Sequence, residues 1–290
     1  MMNVNISHFV DICKAIYPVS KECLFKNKII LKDFSRSTKR NCVNLHWWKM
    51  AYNQVNIGDF LSVVIVEYMK KRKNIQNDNS FDDRTRHLYA VGSIVNSGYQ
   101  DATIWGSGCL ESKLFFWRRI RKLDVRCVRG PLTRDTLMKN GYKCPEVYGD
   151  PAVLMPLIYS PKHTEKIYDY LVIKHHSNSN VTGFSNCKFV STVTNDYKGF
   201  IDAIKSAKMI ISSSLHGIIL AESYGIPAIW FKDSSIDEFK YYDWYYSTER
   251  YNVTPSLTIE DALRKLPPNL PDLQNLRRSL IDSFPYELWK

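Results

Sequence analysis

The sequence predicts an α/β protein with two doubly wound, Rossmann-like domains that face one another across a cleft. From residue 43 onward, short apolar runs alternate with segments of helical period, which is typical of βαβ units and largely parallel sheets. The alternation stops at the polar stretch 159–166, which contains Pro161, and then starts again. We therefore predict an N-terminal domain at 1–160, with a lead-in at 1–40, and a C-terminal domain at 167–290.

The elements of the first domain are predicted from local signals. The segment 60–72 combines a helical period with cations at its end, as the helix dipole favours. The segment 131–141 begins with proline and ends with glycine, the order expected at the start and stop of a helix. Buried strands are predicted at the apolar runs 87–95 and 102–108. A strand that runs into a turn is predicted at 124–130, and a strand followed by a proline-bounded exit at 147–156.

The second domain repeats this pattern. Strands are predicted at 168–176, 187–192, 209–213 and 226–231, and helices at 196–208 and 215–225. The last 50 residues are rich in aromatic side chains and predict one helix, at 258–266. The aromatic side chains of 238–252 would suit stacking on sugar rings or packing in a core, and core packing is the favoured interpretation.

Composition and charge limit the classes of function. The chain of 290 residues has 40 Lys+Arg against 29 Asp+Glu, a formal net charge of +11, which favours an anionic partner. Nucleic acid is not expected, because no recognisable binding module is present. The seven cysteines form no CxxC pair, which indicates neither a disulfide framework nor a zinc site and favours the cytoplasm. Because no apolar run approaches about 18 residues, contact with a membrane would be peripheral, at the inner face of the cytoplasmic membrane.

Polar residues stand at predicted strand ends in the first domain. Asn56 and Asp59 precede the helix predicted from Phe60, with Asp59 at the expected N-cap, and both capping and ligand contact are open interpretations. Gly106 and Ser107 follow a buried strand, where small residues let a backbone approach an anion closely. A simple βα turn would also explain Gly106 and Ser107.

Arg129 and Asp150 follow the next two predicted strands. Arg129 stands just before the helix that begins at Pro131, whose N-terminal amides attract anions, so its guanidinium could pair with a carboxylate or phosphate. The alternative is an ion pair with the neighbouring domain. Asp150 precedes Pro151, where a turn is favoured over a ligand contact.

A cluster of basic residues lies between 113 and 129, beside three aromatic residues at 115–117. Its members are Lys113, Arg118, Arg119, Arg121, Lys122, Arg126 and Arg129. A solvated helix face would explain such a cluster. A surface that faces a membrane or a substrate is the functional alternative.

The segment 209–231 contains the strongest candidate site of the second domain. An apolar strand stops at a run of serines that includes Ser213 and Ser214, and His216 follows in the first turn of a predicted helix. Small side chains at a strand end let a ligand come close, and an imidazole exchanges protons near neutral pH. His175, at the end of an earlier predicted strand, is a further candidate for ligand contact.

Several short motifs, taken in order, resemble the polysaccharide pyruvyltransferase family. They are NIGDFLS, IWGSG, VRGPLTRDTL, YGDPAVLMP and IISSSLHGIILAESYGIPAIWF, spread over about residues 43–232. The resemblance implies a two-domain fold of the GT-B type and transfer of a pyruvyl group from phosphoenolpyruvate to two hydroxyls of a sugar. A cyclic ketal would form and phosphate would be released. The resemblance also implies that Arg129, Leu215 and His216 contact phosphoenolpyruvate.

The chemistry of this donor agrees with those residue types. Its carboxylate and phosphate need fixed cations and backbone donors, which Arg129 and the helix N-terminus near Leu215 would offer. Ketal formation needs protonation of the enol and deprotonation of two hydroxyls, for which His216 is the leading candidate, with a clamp on phosphate as the alternative. No metal or cofactor is required by this scheme. The implied acceptor is a saccharide of a bacterial surface polysaccharide, such as a capsule or exopolysaccharide, or its lipid-linked precursor.

Two other classes of function stay open at this point. The same fold would suit a glycosyltransferase with a nucleotide-sugar donor, in which Glu222 is the candidate contact to the ribose. A non-catalytic subunit that binds a glycan or an anion would also explain the basic charge. Release of phosphate from phosphoenolpyruvate in the presence of a sugar acceptor would distinguish the pyruvyltransferase from both.

Overall fold

A computed structural model of the protein describes residues 43–50, 54–75, 86–97, 101–114, 121–161, 165–175, 187–232 and 236–289. The predicted lead-in at 1–40 lies outside the described residues. The same holds for the part of the basic cluster at 115–120, with Arg118 and Arg119.

Two parallel four-stranded sheets confirm the predicted α/β class. The strands are β1 (Val43–His46), β2 (Arg86–Tyr89), β3 (Ala102–Trp105), β4 (Leu123–Cys127), β5 (Tyr168–Lys174), β6 (Cys187–Ser191), β7 (Ala207–Ser212) and β8 (Ala228–Trp230). Their order is β1-β2-β3-β4 in the first sheet and β6-β5-β7-β8 in the second. Because all the strands of a parallel sheet point the same way, their carboxyl ends meet at one edge.

Double winding is seen in the second sheet. Its chain runs from β5 outward to β6 and then crosses to β7 and β8 on the other side of β5. The described strands of the first sheet follow one another in chain order without such a reversal, so the double winding predicted for the first domain is not found there.

Helices connect the strands and follow the second sheet. They are α1 (Ile57–Lys71), α2 (Pro131–Lys139), α3 (Met155–Ile158), α4 (Tyr197–Lys205), α5 (Leu215–Ser223), α6 (Phe239–Ser247), α7 (Ile259–Arg264) and α8 (Gln274–Asp282), with 3-10 turns at Pro151–Leu154 and Tyr286–Trp289. None of the helices described here combines the length and apolar character needed to span a membrane.

The strand predicted at 87–95 is shorter than its apolar run suggests. It ends at Tyr89, and the following residues turn at Gly92, whose φ of 109° is a conformation that side chains disfavour. This turn directs the segment after β2 along the carboxyl edge of the first sheet, where it contributes to the site described below.

The strand predicted at the start of 147–156 is reduced to an isolated bridge, and three helices, the one-turn α3 together with α6 and α8, were not predicted. The segment 147–156 forms an isolated bridge at Tyr148 and then a 3-10 turn, because the Asp150 carboxylate accepts a hydrogen bond from the Ala152 amide and caps that turn. Helices α6 and α8 escaped prediction because one is crowded with aromatic side chains and the other is largely polar.

The largest apolar core continues from one half of the chain into the other. Leu61 and Ile65 of α1 belong to the same buried cluster as Ile218 of α5 and Trp244 of α6. Tyr241 of α6 stacks on the Trp230 ring with centroids 4.5 Å apart, which confirms core packing for this part of the aromatic segment.

The end of the described chain packs against the first half. The indole Nε1 of Trp105 donates to the backbone oxygen of Leu280 at 2.9 Å, and the Leu280 side chain lies against Gly149. Arg277 donates from Nε to the carbonyl of Val153 and from Nη2 to that of Ser223, so it bridges both halves. Helix α8 thus lies on the first half of the chain, although it falls within the predicted second domain. The domain boundary predicted at 159–166 stays a prediction.

Replacing Leu280 tests this docking of α8. Leu280 is fully buried, so we expect Leu280→Ala to lower the free energy of unfolding by about 2–4 kcal/mol through lost burial and a residual cavity. Leu266→Ala is the matched control, because 87% of that side chain is exposed, and we expect a change below about 0.5 kcal/mol. Urea unfolding measures both. Equal losses for the two variants would contradict the packing of α8.

Candidate active site

The carboxyl ends of the two sheets open into one cavity of about 550 Å³. Six residues predicted from the sequence line it: Asn56, Asp59, His175, Ser214, Leu215 and His216. The other nine lining residues were not predicted: Trp48, Ser93, Ile94, Ser97, Leu110, Glu111, Ile236, Asp237 and Lys240. The cavity therefore draws its lining from both halves of the chain, as ligand sites at parallel strand ends do.

His216 is held between the two halves at the first turn of α5. The Nδ1 edge of its ring occupies the space where a side chain at position 58 would be, 2.1 Å from an ideal Cβ on Gly58. Its Nε2 lies 3.5 Å from Oδ2 of Asp150, which is fully buried. Neither atom of that pair has a hydrogen-bond partner among the described residues. The contact places a buried carboxylate beside the Nε2 edge of the imidazole.

Asp59 has a different role from the N-cap predicted for it. Helix α1 begins at Ile57, and Asn56 is its N-cap, since Oδ1 of Asn56 accepts from the Gly58 amide at 3.0 Å. Asp59 instead lies in the first turn, with Oδ1 against Gly92, whose own Cβ would stand only 2.9 Å away. Its carboxylate is therefore free of capping and lies at the cavity.

The pKa of Asp59 is raised to about 6. The main cause is burial, which disfavours the carboxylate, and the neighbouring Asp150 adds to the rise. The charges of His216 and Lys240 act in the opposite direction and limit it. A carboxyl with this pKa exchanges protons close to neutral pH.

Asn56 also connects the two halves beside the cavity. The amide of Ile57 donates to the carbonyl of Thr192 at 2.8 Å, and Asn56 forms an isolated antiparallel bridge with Val193. These contacts tie the start of α1 to the segment after β6. Asn56, and not the predicted Asp59, thus caps α1, and a ligand contact by Asn56 stays a prediction.

The serines after β7 divide into structural and cavity residues. Oγ of Ser212 accepts from the Ser214 amide and donates to the Ser214 carbonyl, and Oγ of Ser213 accepts from the His175 amide. Ser213 is completely buried by these contacts and is not among the cavity residues, in contrast to its prediction as a substrate contact. Ser214, the N-cap of α5, makes no side-chain capping bond and faces the cavity.

Arg129 forms the ion pair that the sequence left as an alternative. It is 0% exposed, and its Nε donates to Oδ2 of Asp243 on α6 at 2.9 Å. Its Nη1 donates to Oγ of Ser93 and its Nη2 to the carbonyl of Cys109, each at 2.6 Å. All three guanidinium nitrogens are thus engaged by the protein, so the expected contact between Arg129 and the donor is not found in this conformation.

The glycines of the IWGSG motif make room for protein atoms. A Cβ on Gly106 would lie 2.4 Å from the Pro151 ring, and one on Gly108 would lie 2.3 Å from the guanidinium carbon of Arg129. Oγ of Ser107 donates to the carbonyl of Gly92 at 2.8 Å and is fully buried. Gly106 and Ser107 therefore support the turn beneath the cavity, and neither is among the cavity residues, so their contact with a substrate stays a prediction.

Glu222 is committed to a buried ion pair. Its carboxylate accepts from both Nη atoms of Arg250, at 2.6 and 2.9 Å, and from the indole nitrogen of Trp244 at 2.9 Å. It is not among the cavity residues. The carboxylate joins α5 to α6 and is already satisfied in this conformation, and a contact between Glu222 and a ribose stays a prediction.

Two cavity residues lacked a sequence signal. Lys240 lies in the aromatic segment of α6, where its neighbours are core residues, and Trp48 follows β1 without a polar motif beside it. Lys240 and Trp48 reach the cavity through the tertiary fold of the chain, not through a local sequence pattern. Among the described residues, no group of three or more His, Cys, Asp or Glu side chains is arranged to hold a metal ion.

The fold is that of an α/β protein with two parallel sheets and a cavity at the carboxyl ends of their strands. Residues 56–235, more than half of the chain, match the family described as Polysaccharide pyruvyl transferase. The chain belongs to the polysaccharide pyruvyl transferase family and is an enzyme of that family. This confirms the resemblance noted in the motifs.

Similar proteins come from a giant virus and from bacteria. Uncharacterized protein L143 of Acanthamoeba polyphaga mimivirus is 28% identical over 225 residues, which cover 72% of this chain and 76% of L143. Succinoglycan biosynthesis protein ExoV of Rhizobium meliloti (strain 1021) is 32% identical over 169 residues, 54% of this chain and 52% of ExoV. A functionally uncharacterized Klebsiella pneumoniae protein, KP1_0663, superimposes with a TM-score of 0.49 at 16% identity, covering 81% of this chain and 98% of that one. A TM-score of 0.49 is too low to assign the fold from this superposition.

Removing the charge of Arg129 tests its structural role. We expect Arg129→Met to lower the free energy of unfolding by about 3–5 kcal/mol, because Asp243 would remain buried without its cation. Arg126→Met is the matched control: its ion pairs with Asp124 and Glu287 are partly exposed, so its loss should stay near or below about 1 kcal/mol.

A second variant separates the ion pair from simple loss of volume. Arg129→Met combined with Asp243→Asn should be less destabilised than the sum of the two single changes, because no uncompensated charge is left. Urea unfolding of all four proteins measures the coupling. Strict additivity would contradict a pairwise interaction between these side chains.

Proposed function

We propose that this protein transfers a pyruvyl group from phosphoenolpyruvate to two hydroxyls of a saccharide, forming a cyclic ketal and releasing phosphate. Family membership supports pyruvyl transfer as the class of reaction. The observation that carries the finer proposal is a single cavity in which Asp59, with a pKa of about 6, faces the first turn of α5. An anionic enol donor requires both a proton donor, here Asp59, and a binding site for its negative charge, here the first turn of α5.

The start of α5 is proposed to hold an anionic end of the donor. The first backbone amides of a helix have no acceptor within the helix, and the dipole is positive at that end. Ser214 leaves these amides uncapped by its side chain, and Leu215 and His216 line the cavity beside them. A carboxylate or phosphate would accept hydrogen bonds there without displacing a protein group.

The proton balance of the reaction requires groups that both give and take protons. C3 of the enol gains one proton, the two acceptor hydroxyls lose one each, and the departing phosphate gains one. Protonation of C3 converts the double bond between C2 and C3 into a single bond. Two bonds form between C2 and the acceptor oxygens, and the bond between C2 and the phosphate oxygen breaks. No redox partner is needed.

Asp59 and His216 are the proposed acid–base groups. Asp59 in its protonated form would donate to C3 and, once ionised, would accept the proton of the first hydroxyl, which suits a pKa of about 6. His216, beside Asp150, would transfer the proton of the second hydroxyl to the phosphate. Both residues lie in the first turn of a helix, one from each half of the chain.

The acceptor is proposed to be a saccharide of a surface polysaccharide or of its lipid-linked precursor. Trp48 and Leu110 line the cavity and are 39% and 44% exposed, which provides an apolar surface for the face of a sugar ring. A GT-B-like arrangement, with the acceptor on the first half and the donor on the second, fits this distribution. The proposed location is the cytoplasm or the inner face of its membrane, with no cofactor beyond the two substrates.

The activity is tested by incubating the protein with phosphoenolpyruvate and saccharide acceptors. We expect release of phosphate that depends on the acceptor, together with an acid-labile ketal on the product detected by mass spectrometry. His216→Asn should reduce turnover by about 100-fold or more while the thermal transition stays close to that of the wild type. Consumption of a UDP-sugar with no release of phosphate from phosphoenolpyruvate would overturn the proposal in favour of glycosyl transfer.

Asp59→Asn should lose activity and gain stability. Because the pKa of Asp59 is higher in the folded protein than its ordinary value of 3.8, the folded state binds this proton more tightly than the unfolded chain does. Its ionisation therefore lowers the free energy of unfolding as pH rises from about 4 to 6, and the penalty is complete above that range. Asparagine removes the ionisation and with it the penalty.

We expect Asp59→Asn to be more stable than the wild type at pH 7.5 by about 1–2 kcal/mol, less than the full pKa difference implies because water reaches the cavity. The gain should vanish near pH 4, and turnover should fall by about 100-fold. Urea unfolding at the two pH values measures the stability. Asp135→Asn, at an exposed position on α2, is the matched control and should change neither property. A variant less stable than the wild type at pH 7.5 would contradict the raised pKa.

A further inference from the structure

The cavity contains one fixed cation among its described lining residues. Lys240 is the only lysine or arginine among them, whereas Asp59, Glu111 and Asp237 contribute carboxyl groups. A donor that carries a carboxylate and a phosphate would be repelled by such a lining unless a cation offset the negative charge. The electrostatics of the cavity therefore depend on Lys240.

Arg129, the cation expected from the sequence, does not reach the cavity. Its guanidinium is completely buried, and its three nitrogens donate to Asp243, Ser93 and the carbonyl of Cys109. Moving it to a ligand would break a buried ion pair and leave Asp243 without its cation. The anionic donor needs a different positive charge.

Helix α6 brings Lys240 to the site, and Arg129 holds α6. Lys240 precedes Asp243 by three residues, so the two lie on neighbouring parts of one helix face. Asp243 accepts from Arg129 and also from the amide and the hydroxyl of Thr133, at 2.9 and 2.7 Å. The α6 backbone itself passes close to Gly130, where a Cβ would stand 1.9 Å from the Asp243 carbonyl oxygen. This contact leaves the helix little freedom to shift, so Lys240 is fixed at the cavity with 7% of its surface exposed.

We propose that Lys240 is the cation that binds an anionic group of the donor, and that Arg129 is a positioning residue that acts through Asp243 and α6. The proposal rests on the function proposed above, because it assigns a residue to the donor site of that reaction. Lys240 lies in the first turn of α6, so its ammonium and the amides of α5 approach the cavity from separate helices. A ligand with two anionic groups would fit two such centres.

The same lysine influences the acid–base carboxyl. Asp59 is faced by His216 from α5, by Lys240 from α6 and by Asp150 from the turn before Pro151. The charge of Lys240 lowers the pKa of Asp59, whereas Asp150 raises it. Loss of the lysine charge should therefore raise the pKa of Asp59, whereas Lys240→Arg, which keeps the charge, should not. If Lys240 acted only through packing, its charge would make no such difference.

The test compares Lys240→Met with Lys240→Arg on the whole protein. Calorimetric titration with phosphoenolpyruvate, and separately with inorganic phosphate, should show affinity for phosphoenolpyruvate reduced about tenfold or more in Lys240→Met. Lys240→Arg should stay within about threefold of the wild type, because the charge is retained. Lys139→Met, which removes one exposed charge at the end of α2, is the matched control and should bind like the wild type. If Lys240→Met does not fold, Lys240→Gln supplies the neutral side chain.

The outcomes separate this proposal from the proposed function. The proposal is supported if the neutral variant binds phosphoenolpyruvate more weakly while Lys240→Arg retains binding. It also requires that the pH profile of kcat/KM moves to higher pH only in the neutral variant. Binding by Lys240→Met or Lys240→Gln at the affinity of the wild type overturns the role of Lys240 and leaves the proposed function intact. A wild-type protein that does not bind phosphoenolpyruvate overturns the proposed function, and the assignment of Lys240 with it.

Discussion

The ion pair between Arg129 and Asp243 is the interaction on which the geometry of the site depends. It joins the end of β4 to α6 across 114 positions of sequence, in a place where neither side chain contacts water. Two buried charges add little net stability, since desolvation offsets their attraction, but they strongly disfavour any arrangement that separates them. The pair thus specifies where α6 lies more than how stable the fold is, and α6 carries the lysine of the cavity.

Around that constraint, chemically identical side chains acquire different roles from their surroundings. Asp150 caps a 3-10 turn and faces His216, whereas Asp59 lies in the first turn of a helix whose cap is already supplied by Asn56. Asp59 is therefore left at the cavity, and burial raises its pKa, as the proposed acid–base role requires. Gly58 and Gly92 make this possible, because side chains at those positions would collide with His216 and Asp59.

Much of this arrangement was predictable from the sequence, and the remainder depends on contacts between distant residues. Alternating apolar runs predicted both parallel sheets, and polar residues after strand ends predicted His216, Asp59 and Ser214 at the site, because strand direction alone brings them together. A local pattern does not show which residue satisfies a buried charge. The partners of Arg129 and Glu222, and the exposure of Lys240 to the cavity within an aromatic helix, follow from tertiary packing.

The most direct measurement is a crystal structure of the wild-type protein bound to phosphoenolpyruvate. We expect the ligand in the cavity between the two sheets, with one anionic group within hydrogen-bond distance of the Lys240 ammonium and the other at the first amides of α5. Arg129 should remain paired with Asp243. A ligand held directly by Arg129, with that ion pair broken, or a ligand bound outside this cavity would contradict it.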